Sequence, residues 1–179
     1  MRIVSGKHRG LNLEEFDATN IRPTTDRVRE NIFNKIQFDV PNSVVLDLFC
    51  GTGAVSLEFL SRNARQVISV DNNQNSIKLI ERNFAKAKEK PNLIKSDYKE
   101  ALKQVSNEKF DFIFLDPPYH TKFGQDALNI ISSMSILKDS SVIIYEHLAA
   151  TEFVCPDNME VYDYKKYGTI AISFIRVKE

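Results

Sequence analysis

From Val44 onward the chain alternates between short apolar runs and longer amphipathic stretches. The runs VVLDLF, VISVD, NLIK, FDFIFLD and SVIIYEH are rich in branched and aromatic residues and do not alternate strictly with polar ones. That pattern predicts strands covered on both faces, as in a parallel sheet. Between them lie AVSLEFLSRN, QNSIKLIERNFAKAKE, YKEALKQV and QDALNIISSMSIL, which read as helices. MEVYDYKKYG and TIAISFIRV close the chain as two strands joined by a tight turn near Tyr167-Gly168. A hairpin cannot be a right-handed crossover, so the last strand is expected to run antiparallel to its neighbours. The prediction is an open, doubly wound α/β sheet with ligands at its carboxyl edge.

The first forty residues follow a different pattern. RIVSG and GLNLEEF flank a Lys-His-Arg turn between two glycines, which predicts a β-hairpin extension over residues 1–20. Residues 21–179 then form the core, and 1–179 are expected to be a single domain. In IRPTTDRVRENIFNKI, Arg22 precedes Pro23 and is expected to be extended. Thr24 or Thr25 caps the helix that follows, and Val28, Ile32, Phe33 and Ile36 recur at helical spacing as its apolar face.

Composition adds exclusions. The chain has 179 residues, 42% hydrophobic and 27% charged, which suits a globular fold with a sizeable core. No apolar run is long enough to cross a membrane, and MRIVSGKHRG has no signal-peptide character, so a cytoplasmic protein is expected. Two cysteines, Cys50 and Cys155, give neither a disulfide framework nor metal-ligand spacing, and no metal is expected. The 24 basic and 24 acidic residues cancel, which argues against binding nucleic acid over the whole surface. The first ten residues nevertheless carry Arg2, Lys7, His8 and Arg9 without an acid.

Chemistry enters at four places on the predicted carboxyl edge. The first is VVLDLFCGTGAVSLEF, where a buried strand passes through a glycine loop into a helix. Gly51 and Gly53 allow a sharp turn with no side chain in the way of a ligand. Dinucleotide enzymes use G-x-G-x-x-G here, but the third position is Ser56 and an acid, Asp47, stands before the loop. The D-x-F-x-G-x-G string of Asp47, Phe49, Gly51 and Gly53 resembles motif I of class I methyltransferases. The second place is Asp71, which closes VISVD at the interval where an acid accepts both hydroxyls of a ribose, with Asn72 extending the contact. The third is KSDYKEAL: Asp97 stands where this fold meets an adenine amino group and Tyr98 where a ring lies along the adenine, although Ser96 or Asp97 also reads as a helix N-cap.

The fourth place is FDFIFLDPPYH, with Asp116-Pro117-Pro118-Tyr119 just past a buried strand. An exocyclic amino nitrogen is a poor nucleophile because its lone pair is delocalised into the ring. Acceptors on its two N–H groups draw it towards tetrahedral geometry and restore the lone pair. Asp116 supplies one acceptor and the Pro117 carbonyl another, while the prolines bring no competing N–H. The Tyr119 ring can stack on the base, a contact worth about 1–3 kcal/mol. Aligning nitrogen, methyl and sulfur can contribute roughly 7–11 kcal/mol as a proximity effect.

Asp-Pro-Pro-Tyr by itself serves adenine N6 and guanine N2, and its Asn variant serves glutamine N5. From end to end, however, the chain resembles the RsmD family of bacterial ribosomal RNA methyltransferases. The resemblance rests on R-I-V-S-G-K-H-R-G at the start, R-P-T-T-D-R-V-R-E-N-I-F-N at 22–34, D-L-F-C-G-T-G at 47–53, L-S-R-N-A at 60–64 and D-P-P-Y at 116–119. It implies a Rossmann-like class I fold, S-adenosylmethionine as cofactor, and methylation of guanine N2 at one site in 16S ribosomal RNA. The implied partner is 16S rRNA in an assembling small ribosomal subunit, met by a monomer. Lys7, His8, Arg9 and Arg22 would then contact RNA. One or more of Thr24, Asp26, Arg27 and Arg29 would brace the cofactor or the catalytic loop.

Other readings make distinct demands. A DNA adenine-N6 enzyme normally adds a target-recognition domain, for which 179 residues leave little room. A glutamine methyltransferase usually carries Asn at the position of Asp116, and a uridine-C5 enzyme needs a catalytic cysteine, whereas Cys155 in FVCPDN has no basic partner nearby in sequence. A non-catalytic ribosome-assembly factor would have no need of the acidic loop.

Overall fold

The computed structural model describes residues 1–17 and 24–179. Within these, seven strands form one sheet: β1 (Val44–Asp47), β2 (Gln66–Asp71), β3 (Asn92–Lys95), β4 (Phe110–Leu115), β5 (Leu137–Leu148), β6 (Met159–Tyr167) and β7 (Ile170–Val177). Their order is β3-β2-β1-β4-β5-β7-β6, with β3 to β5 parallel. As expected for a hairpin, β7 is antiparallel to both neighbours, and it inserts between β5 and β6. Among the described residues five helices connect the strands or precede them: α1 (Asp26–Ile36), α2 (Ala54–Ser61), α3 (Gln74–Lys86), α4 (Tyr98–Gln104) and α5 (Phe123–Ser132). Among the described residues, no helix is long and apolar enough to cross a membrane.

The apolar runs are buried on both faces. Val44, Leu46, Ile113, Leu115, Ile143 and Tyr145 pack under α4 and α5. The alternate residues, Val45, Phe112, Phe114, Ile144 and Ile172, pack under α1 and α2. Thr25 caps α1 by accepting the Val28 N–H, and Val28, Ile32, Phe33 and Ile36 are its buried face. Phe33 meets Phe59 edge-on at 4.7 Å. An aromatic–aromatic contact of this kind adds about 0.5–1.5 kcal/mol beyond the area it buries.

Two boundaries differ from the sequence expectation. α5 runs Phe123–Ser132, earlier than the apolar pattern from Gln125 to Leu137 suggests, because Leu137 pairs with Phe110 as the start of β5. At the N-terminus the expected hairpin is reduced to a single bridge, Arg2 to Asn12, although Ile3 N–H still donates to the Leu11 carbonyl at 3.0 Å. The backbone donors that would extend a ladder go elsewhere. Val4 and Ser5 N–H groups donate to the Glu58 carboxylate at 2.9 and 3.1 Å, and Lys7 N–H donates to the Ser61 carbonyl at 2.9 Å. Gly6, at φ +85°, lies so close to Ser61 that a Cβ would sit 1.9 Å from that carbonyl oxygen. The extension is thus shaped by α2 more than by its own strand pairing.

Candidate active site

The carboxyl ends of β1, β2, β3 and β4 bring the four expected segments to one edge of the sheet. At the end of β1 the backbone turns through Gly51 at φ +52° and Gly53 at φ +81°. A Cβ on Gly51 would meet only the Phe16 ring at 3.9 Å, so the backbone angle is what calls for glycine there. A Cβ on Gly53 would fall 2.6 Å from Ile80 of α3, so that glycine also permits close helix packing. The loop is tied to β2 by the Asp71 carboxylate, which accepts the Gly51 N–H at 2.9 Å and the Asn73 N–H at 2.9 Å. Asp71 is half-buried and Asn72 is exposed. Each Asp71 oxygen retains a lone pair for a ligand hydroxyl. The arrangement fits an adenosyl group, with an open glycine loop and a half-buried carboxylate tied to it.

Asp47 lies beneath this loop, in the interior. Its Oδ2 accepts the Ser56 hydroxyl at 2.7 Å, and Ser56 in turn meets the Ser69 hydroxyl at 2.7 Å. Burial, and more weakly the charge on Asp71, push its carboxyl up to about 7. Phe49 is half-buried, with its ring 5.5 Å from that of Tyr98. Tyr98 is itself buried, donates its hydroxyl to Asp126 at 3.2 Å, and packs 5.2 Å from Phe123. Burial and the Asp126 charge raise the Tyr98 hydroxyl to about 12. Little of the Tyr98 ring is open; Phe123, 41% exposed, is the aromatic surface presented beside it. Asp97 caps α4 through Oδ1, accepting from Lys99 and Glu100 N–H groups at 2.8 and 3.1 Å.

The loop after β4 holds a half-buried Asp116, a buried Pro117, an exposed Pro118 and a half-buried Tyr119. Thr121 closes it by donating to the Pro118 carbonyl at 2.7 Å. β4 pairs with β5 in a register that aligns Leu115 with Tyr145, so Asp116 stands beside Glu146 on the α1 face of the sheet. Glu146, 1% exposed, accepts the Thr24 hydroxyl at 2.5 Å and the Tyr119 hydroxyl at 3.5 Å. The Asp116 carboxyl lies within electrostatic reach of the Glu146 carboxyl and the Thr24 hydroxyl. Burial first, then the Glu146 carboxylate and Asp47, raise the Asp116 carboxyl well above its ordinary range. Burial also raises Glu146, opposed by the hydrogen bonds it receives.

Glu146 is the residue that the sequence reading missed. Its signal was a lone acid near the carboxyl end of the apolar run SVIIYEH, which gains meaning only when β5 is known to neighbour β4. Thr24, expected at the cofactor, instead donates to Glu146, beside the Asp116 loop.

The basic turn lies elsewhere. α2 and α3 begin at the carboxyl edge and run back across the sheet, and the turn sits at their far ends. His8 N–H donates to Ser61 Oγ at 2.9 Å, and Lys7 Nζ and His8 Nε2 both meet Glu89 at 2.8 Å. The eight residues of α2 therefore separate the turn from the glycine loop by about 12 Å. Lys7, His8, Arg9, Lys86 and Lys88 line a groove of about 600 Å³ there, and Arg9 is exposed. The Arg22 expectation lies outside the described residues.

A glycine loop after β1, an acid after β2 and an Asp-Pro-Pro-Tyr loop after β4, on a sheet of this order, define a class I methyltransferase. The family model described as "Conserved hypothetical protein 95" matches residues 1–176, and the chain belongs to that family, the RsmD family of ribosomal RNA methyltransferases. It is 30% identical over 175 residues to the ribosomal RNA small subunit methyltransferase D of Haemophilus influenzae, covering 96% of this chain and 91% of that protein. The solved structure of yhhF from Escherichia coli superimposes with a TM-score of 0.86 at 25% identity, over 99% of this chain and 98% of the other. A methylase structure from Haemophilus influenzae gives 0.82 at 28% identity, over 99% and 98%.

Proposed function

We propose that this protein transfers the methyl group of S-adenosylmethionine to the exocyclic N2 of one guanine in 16S rRNA. The observation that carries this reading is the placement of Asp116-Pro117-Pro118-Tyr119 at the end of β4, next to the glycine loop at the end of the adjacent strand β1. Asp71 and Asn72 hold the ribose, Gly51 and Gly53 leave room for the adenosyl group, and Phe49 and Phe123 flank the adenine in front of Tyr98. The cofactor supplies a methyl already activated on a sulfonium sulfur. Asp116 and the Pro117 carbonyl accept the two amino hydrogens, and Tyr119 stacks on the base. The half-buried setting of Asp116 keeps bulk water from competing for the amino group.

The RNA reading draws support from the relatives, which are named for ribosomal RNA of the small subunit. It also draws on the basic groove, where Lys7, His8 and Arg9 are joined by Lys86 and Lys88 and can follow a phosphate backbone about one helix length from the target base. Because Glu89 neutralises part of that groove, naked RNA is expected to be a poor substrate, and an assembling small subunit bound by a monomer the good one. Purified enzyme incubated with labelled S-adenosylmethionine is expected to methylate small subunits lacking the modification, with N2-methylguanine in the nuclease digest. Label in adenine, or in a protein, would refute the assignment.

A further inference from the structure

The loop chemistry leaves one group unused, the buried Glu146. We infer that Glu146 is a positioning residue that shares one proton with Asp116, aims the Asp116 acceptor at the substrate amino group, and gives the proton released there a place to go. This rests on the amino-methylation reading above and adds a residue to it.

The geometry is set by the sheet. Asp116 follows β4 and Glu146 lies near the carboxyl end of the neighbouring parallel strand β5, in a register that makes the two residues neighbours without any loop having to place them. Thr24 fixes Oε2 of Glu146 and Tyr119 approaches Oε1. From β1 the next charged group is Asp47, another acid, and from β7 the residue aligned with Glu146 is Ile172. Among the described residues no lysine or arginine pairs with Asp116 or Glu146, and no three His, Cys, Asp or Glu side chains converge as a metal site. Two carboxylates in contact without a cation do not both ionise easily, so one proton held between them is the favourable state.

That state suits the reaction. The amino nitrogen forms its bond to the methyl carbon with its own lone pair, and the carbon–sulfur bond breaks with its pair left on sulfur. The nitrogen becomes cationic and passes one N–H proton to the free Asp116 oxygen. The pair then holds two protons in place of one and is neutral, and the extra proton leaves through half-buried Asp116 to water. Charge and atoms balance at each step.

The test is Glu146→Gln, whose amide keeps the shape and can still accept from Thr24 while losing the shared proton. Cofactor affinity by calorimetry is expected to stay within about twofold. Single-turnover methyl transfer should fall on the order of 10²-fold. The alkaline limb of its pH profile, where the wild-type pair gives up its shared proton, should be lost, since the amide has no such proton to give up. Infrared difference spectra at neutral pH, taken in an Asp47→Asn background so that Asp47 adds no band, should show a protonated-carboxyl stretch that is lost on adding Glu146→Gln or Asp116→Asn. An unchanged rate and pH profile, or no such band in the Asp47→Asn background, would overturn the proposal. If Glu146→Gln does not fold, the background spectra with and without Asp116→Asn decide. Failure of the amino-methylation reading looks different: wild-type enzyme would then transfer nothing to guanine at any pH.

Discussion

Two buried glutamates, Glu58 on α2 and Glu146 on β5, sit in contrasting surroundings. Glu58, 0% exposed, is ringed by donors: Val4 and Ser5 N–H groups, Arg62 at 3.0 Å and Arg29 at 3.6 Å, with Arg29 also bonded to Asp26 at 2.9 Å. Glu146, 1% exposed, has two hydroxyls and a second carboxylate. The first is a joint that fastens the N-terminal extension to α1 and α2, where the cations compensate for burying the acid. The second is left without a cation among the described residues, beside the Asp116-Pro117-Pro118-Tyr119 loop. Uncompensated charge of this kind collects at functional sites, since a proton or a substrate can relieve it.

The contrast is best broken first at Glu58. Glu58→Ala leaves Asp26 as the one remaining carboxylate on buried Arg29 and orphans the Val4 and Ser5 N–H groups, and is expected to lower unfolding free energy by about 3–5 kcal/mol, read from denaturant midpoints. Asp116→Ala should do the opposite. Turnover is expected to drop on the order of 10²–10³-fold, the scale of losing one preorganised polar contact, while thermal stability stays level or rises. A large loss of stability in Asp116→Ala would make that carboxyl structural and erase the distinction.

Asp47 sharpens it by pH. Its folded-state carboxyl, near 7, lies above the ordinary 3.8, so the folded chain holds that proton more tightly than the unfolded one. The resulting stabilisation is full below about pH 4 and is lost as pH rises towards 7. Asp47→Asn should flatten that fall, with a gain of more than about 1 kcal/mol at pH 8 relative to pH 4 in parallel melts. The smallest effect belongs to the basic groove. Arg9→Ala is expected to weaken binding to small subunits within about tenfold and reduce the salt slope of binding by about one, with the single-turnover rate unchanged.

Much of the edge was legible in sequence because its signals are local. A glycine at φ +52° and another at φ +81° leave their mark as Gly51 and Gly53. Two prolines after an apolar strand mark the loop that carries Asp116, and a branched-residue run marks each strand buried on both faces. The helix cap at Thr25 and the face of α1 follow from short-range spacing as well. The N-terminal hairpin was less legible, because its backbone donors are taken by Glu58 and Ser61, residues more than fifty positions away.

The chain's sequence by itself determined the alternating α/β pattern, the turn residues, and the acids and aromatics that end each strand. Only the tertiary structure decided which strands lie side by side. That ordering put Asp116 against Glu146, 30 positions on, turned Asp47 inward, and moved the Lys7-His8-Arg9 turn to the far ends of α2 and α3. The physical reason is range. Backbone angles and periodicity act over a few residues, whereas a carboxyl's neighbours, and so its charge, are set by which distant strand pairs with its own.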